Sequence, residues 1–293
     1  MDVSIIGSIV LMGLASAMLL FLIASGLTLT FGILGIVNFA HGSLFMLGAY
    51  FMYSLLLVLN PMLGSFWLAM IIAVVVVAVI GFVIERFLLR FIYKAEVIYQ
   101  LLLTFALVMI IEGLVKSFWG LDPKSFTEPS YLAGSVTILG RPFPIYAIFI
   151  ILAGIIVSLG LWALIYKTNF GKFIRAANAD RDMTNALGIN VNFIFTAVFT
   201  LGAALASLGG ILAGPIRTTA PDMGSMIIIE CFAVVVIGGL GSLPGAFIGS
   251  LLIGLLDSFG TFYVPRFSMA FTFILMAVVL IVRPAGLFGT REH

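Results

Sequence analysis

Uninterrupted apolar runs, one after another, limit what this chain can become. No Lys or Arg occurs before Arg86, and windows of spanning length fall at roughly 7–31, 43–59, 66–85, 97–119, 144–166, 191–214, 225–240, 245–260 and 268–283. A helix needs about 17–25 apolar residues to cross hydrocarbon, and in lipid each backbone N–H and C=O must find its partner inside the segment. The expected fold is therefore all-α, a polytopic integral membrane protein with about 8–9 transmembrane helices in a single domain over 1–293. The two short runs around 225–260 are expected to be broken or partly re-entrant. Composition agrees: 63% of the residues are hydrophobic and 9% charged, too few polar groups to cover a water-exposed surface.

The sparse charges set an expected orientation. Arg86, Arg90 and Lys94 share one connection, Lys167, Lys172, Arg175 and Arg181 a second, and Arg283 and Arg291 the C-terminal end. An odd number of crossings places all of these on one side, which the positive-inside rule makes cytoplasmic, with the N-terminus outside. Ala15-Ser16-Ala17 superficially fits a signal cleavage site. With no basic n-region, and an apolar run continuing to Phe31, the first segment is expected to stay as a span. Net charge is +2, and no basic face of the kind nucleic acid requires can be assembled.

Two glycine-rich stretches interrupt the apolar pattern. They are GILGIVNFAHGSLFMLGAY at 32–50 and VIGGLGSLPGAFIGSLLIG at 236–254, and both contain Gly-Ser-Leu, at 42–44 and 241–243. One reading is an internal repeat with discontinuous helices beside a solute pathway. The other is close helix packing through small residues. Asn38 and His41 sit at the first interruption, where His41 either lines a cavity or hydrogen-bonds freed carbonyls.

Chemistry within the chain is expected to be absent. The one Gly-Lys, Gly171-Lys172, is followed by Phe173 and lacks the upstream glycine of a phosphate-binding loop. His41 and His293 are the only histidines, too few for a metal cluster or a histidine-based catalytic site, so no catalytic or metal-ligating residue is assigned. Cys231 is a lone thiol in an apolar run and cannot form an intrachain disulfide. Glu112 and Lys116 are four apart and can pair along one helix. Glu230 and Asp257 have no cation within a helical turn. They either help receive an ammonium group, or are solvated at the interface or paired with Arg217 or Arg266.

The longest hydrophilic stretch on the expected inner side is KTNFGKFIRAANADRDMTNALGIN at 167–190. Asn178 is placed to cap a short helix, with Met183, Ala186 and Leu187 on one stripe and Gly188 to end it. That stripe suits docking into a groove on a soluble partner, whereas a merely solvated basic loop would obey the positive-inside rule equally well.

SGLTLTFGILGIVNFAHGSLFMLGAY at 25–50 resembles the N-terminal signature of the LivH-type permeases of bacterial ABC importers for branched-chain amino acids. GKFIRAANADRDMTNALGINV resembles their cytoplasmic coupling segment, and GGLGSLPGAFIGSLLIGLLD with RPAGLFG their C-terminal portion. The resemblance implies a LivM-type second permease subunit, two cytosolic ABC ATPase subunits that consume the ATP, an extracytoplasmic solute-binding protein, and no cofactor in this chain. It also implies that residues 172–188 couple to the ATPases, with Arg175, Ala176, Ala177, Ala186 and Gly188 as the matching positions. Residues 36–43 and 238–245 would border the pathway, among them Asn38, His41, Gly42, Ser43, Gly239, Gly241 and Ser242. The expected function is inward transport of branched-chain amino acids across the bacterial inner membrane. Urea or short amides are the runner-up cargo. The rivals are a secondary transporter with a proton relay through Glu112, Glu230 or Asp257, and a purely structural membrane subunit.

Overall fold

A computed structural model describes residues 3–59, 65–93, 95–138 and 140–289; Lys94, Arg291 and His293 lie outside these. The helices are α1 (Val3–Leu34), α2 (Ala40–Leu59), α3 (Ser65–Phe87), α4 (Val97–Trp119), α5 (Ile145–Lys167), α6 (Asn169–Ala179), α7 (Arg181–Ala186), α8 (Val191–Ala213), α9 (Met223–Gly238), α10 (Leu243–Tyr263) and α11 (Ser268–Val282). Before α5 stands one antiparallel hairpin, β1 (Ser135–Ile138) and β2 (Arg141–Pro144).

Of the nine expected crossings, seven are helices long and apolar enough to span. The other two, α9 and α11, have 16 and 15 residues, which at 1.5 Å per residue reach about 24 Å or less against about 30 Å of hydrocarbon. For α9 the cause is visible: it starts against Gly42 of α2, and residues 214–222, with Thr219 and Pro221 buried, lead the chain in to that point.

Arg181 Nη2 donates to the carbonyls of Ile33 and Leu34 at 3.2 and 3.1 Å, so the end of α1 and the start of α8 share one end of the molecule. The two helices cross antiparallel at Gly26 and Gly202, where a Cβ on Gly26 would lie 2.8 Å from the Gly202 carbonyl oxygen. The neighbouring packing repeats with the same inversion. As α1 packs on α10, α8 packs on α3; α2 meets α3 and α4 as α9 meets α10 and α11. One-turn 3-10 helices at Leu89–Ile92 and Pro265–Phe267 occupy matching places after α3 and α10. Helices α1–α4 and α8–α11 thus form an inverted repeat of the kind transporters use.

The repeat differs from the one the two Gly-Ser-Leu stretches suggest. The counterpart of residues 35–42 is 214–224, where Gly224-Ser225 stands opposite Gly42-Ser43. Segment 236–254 is instead packed: Gly245 lies on Gly238, Gly249 on the Val234 carbonyl and Gly254 on Ala17 of α1. Where helix backbones approach this closely only a hydrogen fits, and packing of small residues replaces the hydrophobic drive that lipid cannot provide.

Arg86, Arg90, Lys167, Lys172, Arg175, Arg181 and Arg283 lie at the end of the bundle that carries α6 and α7, as the grouping of cations in the sequence anticipates. Lys124, Arg141, Arg217 and Arg266 follow helices that run to the opposite end.

Candidate functional site

After Leu34 the chain does not leave the bundle. Residues 35–39 turn back along α1, and His41 Nε2 donates to the Ile23 carbonyl at 2.9 Å, eleven residues, or about 16 Å, up α1 from Leu34. His41 is therefore bonded to a carbonyl of α1, not to one freed at the break. With Nε2 acting as the donor, Nδ1 is a lone-pair acceptor. That Nδ1 and both side-chain atoms of Asn38 are buried without a hydrogen-bond partner, as are Thr28 Oγ1, Tyr50 Oη, Ser207 Oγ and Thr219 Oγ1. Buried polar atoms left unpaired are costly. Apart from Thr219 on the 214–222 loop, these groups lie on or beside α1, α2 and α8 and give those helices a polar interior.

The second interruption enters from the opposite end. Residues 214–222 fold inward, Thr219 pairs antiparallel with Lys124, and Thr219 is fully buried. Helix α9 then starts against α2: a Cβ on Gly42 would lie 2.1 Å from the Gly224 carbonyl oxygen, and one on Gly224 would lie 2.6 Å from the Gly42 oxygen. Two helix N-termini, each carrying a partial positive charge, thereby meet inside the protein. Asn38, His41, Gly42 and Ser43 all lie at this junction and are buried.

Gly239, Gly241 and Ser242 lie elsewhere. They form the α9–α10 turn, in which Gly241 touches Gly32 and Gly239 touches Gly286 and Gly289. Leu287 and Phe288 donate backbone N–H groups to the carbonyls of Ile237 and Gly238, so the C-terminal segment caps α9. Ser242 caps α10 by accepting from Gly245 N. The two sets of sequence-derived pathway residues are not brought together.

The hydrophilic stretch is two helices rather than one. Thr168 caps α6, accepting from Gly171 N, and Asp180 caps α7, accepting from Met183 N. Asn178 lies inside α6 and is not the cap. Asp180 wins because the extended backbone there (φ −154°, ψ 108°) divides the helices and aims its carboxylate at the free N–H of α7. Gly188, at φ +83°, ends α7 as expected. Met183, Ala186 and Leu187 are exposed; Ala177 is fully buried and Ala176 half-buried. Arg175 donates to the Ile165 carbonyl and lies over the Tyr166 ring.

Arg181 is the residue whose role the sequence does not reveal. Besides gripping the end of α1 it stacks over Phe195, 4.9 Å from the ring centre. Phe195 in turn packs edge-on against Tyr93, whose hydroxyl bonds the fully buried Glu85 of α3. Burial first, and then the Glu85 carboxylate, push the Tyr93 hydroxyl well above the ordinary phenol range. It is a fixed donor at any physiological pH. Movement of α7 is thus tied to α1, α8 and α3.

The intramembrane charges divide as follows. Glu112 pairs with Lys116 at 3.7 Å and accepts from Ser225 Oγ at 2.6 Å. Glu230 pairs loosely with Arg217 at 3.8 Å, while the Asp257 carboxylate has no hydrogen bond or ion pair among the described residues. Arg217, Glu230 and Asp257 line one cavity of about 190 Å³ between α1, α9, α10 and α11. Among the described residues no cluster of His, Cys, Asp or Glu is arranged to hold a metal ion.

Residues 9–280 match the family described as "Branched-chain amino acid transport system / permease component". The high-affinity branched-chain amino acid permease protein BraD of Pseudomonas aeruginosa is 32% identical, with 92% of each chain covered. LivH of Escherichia coli K12 is 28% identical over 92% of this chain and 91% of its own. The ribose import permease RbsC of Escherichia coli K12 is 30% identical over 53% of this chain and 50% of its own. No solved structure matches. With the match running from α1 into α11, this chain belongs to the family of permease components of branched-chain amino acid transport systems.

Proposed function

We propose that this chain is the membrane-spanning subunit of an ABC importer that moves branched-chain amino acids inward across the bacterial cytoplasmic membrane, powered by separate ATPase subunits. The observation that carries the reading is the grip of Arg181 on Ile33 and Leu34. A helix pair projecting at the basic end is latched to the interrupted end of α1, so a push on α6 and α7 reaches the junction of α2 and α9 directly. Positive-inside logic puts α6, α7 and the C-terminal end in the cytosol and the N-terminus outside.

Closure of two ATPase subunits around the exposed Met183, Ala186, Leu187 and Gly188 would bias two arrangements of comparable free energy, opening the polar interior to one side and then the other. A LivM-type subunit and an extracytoplasmic binding protein complete the assembly, the latter delivering cargo. The names of BraD and LivH, which this chain resembles over most of its length, support the amino acid cargo. Urea or a short amide is the alternative cargo. Deleting residues 172–188 is expected to leave membrane insertion intact and to abolish ATP-dependent uptake in reconstituted vesicles. ATP-dependent uptake that survives the deletion would refute the coupling role. Uptake by this chain alone, without nucleotide or companions, would instead establish a secondary transporter.

A further inference from the structure

The cavity shared by Arg217, Glu230 and Asp257 is too small for a drug-sized ligand, whose sites run to about 300–1,000 Å³; it measures about 190 Å³. Its walls are largely aliphatic and aromatic, with Leu20 of α1, Met226 and Ile229 of α9, Ile253 of α10 and Phe273 of α11. Against that apolar lining stand one guanidinium and two carboxylates. Three ionisable groups in a membrane protein gather around so small a space only at a cost, and such groups usually mark function.

The pairing inside the cavity is incomplete. Arg217 Nη2 stands 3.8 Å from Glu230 Oε2, well beyond the about 2.7–2.9 Å of a charge-assisted hydrogen bond, and its side chain is 44% exposed. A guanidinium has five N–H donors, and those of Arg217 make no hydrogen bond among the described residues. Asp257 faces the same space with both carboxylate oxygens unengaged there. The cavity therefore offers a carboxylate receptor and an ammonium receptor side by side, next to an apolar wall.

We propose that this cavity is a binding site for a small zwitterionic amino acid with an aliphatic side chain. Its α-carboxylate sits on Arg217, its α-ammonium bridges Asp257 and Glu230, and its side chain lies against Ile229, Ile253 and Leu20. The site rests on the amino acid cargo given above, and it places the contact within this subunit as well as in a binding protein. A bound zwitterion would give each of the three ions an opposite charge to contact while leaving the net charge of the site at −1, whereas urea and short amides carry no charge with which to do so.

The test uses the assembled transporter in vesicles, with Cys231→Ala to remove the native thiol and Ser16→Cys to place a reporter in the cavity wall. Saturating leucine is expected to slow maleimide labelling of the reporter severalfold, while urea leaves it unchanged. Asp257→Asn is expected to remove the protection and to lower leucine uptake by about tenfold or more, with nucleotide-dependent ATPase activity retained as evidence of an intact assembly. Arg217→Lys should weaken the protection partially, since it keeps the charge and loses the fork. If leucine is imported but neither protects the reporter nor responds to Asp257→Asn, the cavity is not the site, and the cargo reading stands. If the assembly imports no branched-chain amino acid, the cargo reading falls and this assignment falls with it.

Discussion

Residues 32–50 and 236–254 look alike in sequence, each glycine-rich, each containing Gly-Ser-Leu, yet they do opposite things. In the first, the chain abandons the helix after Leu34, turns back into the bundle and restarts at Ala40 with Asn38 and His41 buried beside it. In the second, the helix simply turns at Gly239–Ser242, and its glycines let α10 lie against α9 and α1 without a gap. Glycine at membrane depth therefore serves either to release the backbone or to bring two backbones together. What separates the cases is the polar residue nearby: Asn38 is buried without a partner, whereas Ser242 accepts from Gly245 N.

If that contrast holds, substitutions in the two stretches should fail differently. The largest effect is expected from Gly42→Val. Its Cβ would fall 2.1 Å from a backbone oxygen that cannot move aside, so the loss should exceed the about 1–3 kcal/mol of ordinary overpacking and the folded yield from detergent should collapse. Gly245→Ala is expected to be milder. It adds one carbon where valine adds three, and that carbon meets the Gly238 oxygen, which Phe288 N also holds, at 2.1 Å, for a loss of about 3 kcal/mol, read as a lower unfolding temperature with uptake per folded molecule unchanged. Loss of specific uptake in that variant would break the comparison. Asn38→Leu should be the smallest in stability and opposite in sign. It exchanges an unpartnered buried amide for an apolar group of similar size, so the thermal midpoint should hold or rise, by up to the about 1–3 kcal/mol an unsatisfied group costs, while uptake falls. An Asn38→Leu protein that is less stable and transports normally would remove Asn38 from the polar interior.

The spans, the basic end and the first interruption were legible because each leaves a chemical trace. Apolar windows follow from hydrocarbon thickness, Lys and Arg gather at one end, and Asn38-x-x-His41 between apolar runs has few structural excuses. The second interruption was not legible. Residues GPIRTTAPD at 214–222 read as a surface connection because they are short, polar and proline-containing, and nothing in such a string reports that Thr219 will be buried. The one trace is Gly224-Ser225, which repeats Gly42-Ser43, and two residues are too short a match to stand out beside Gly-Ser-Leu at 42–44 and 241–243. Asp180 was likewise overlooked as a cap because the stretch was read as one helix. In sequence Arg217 is one of two candidate partners for Glu230 and Asp257, beside Arg266, and its part in a shared cavity depends on α1, α10 and α11 being in place.

The inverted arrangement of α1–α4 and α8–α11 has a consequence for motion. On the transport function proposed above, a body assembled from one motif used upright and upside down would carry its opposite state in its own symmetry: let the halves trade conformations, and a mouth facing one way would become a mouth facing the other. Both forms would then draw on equivalent contacts and lie close in energy. A modest push at one end suffices to choose between them.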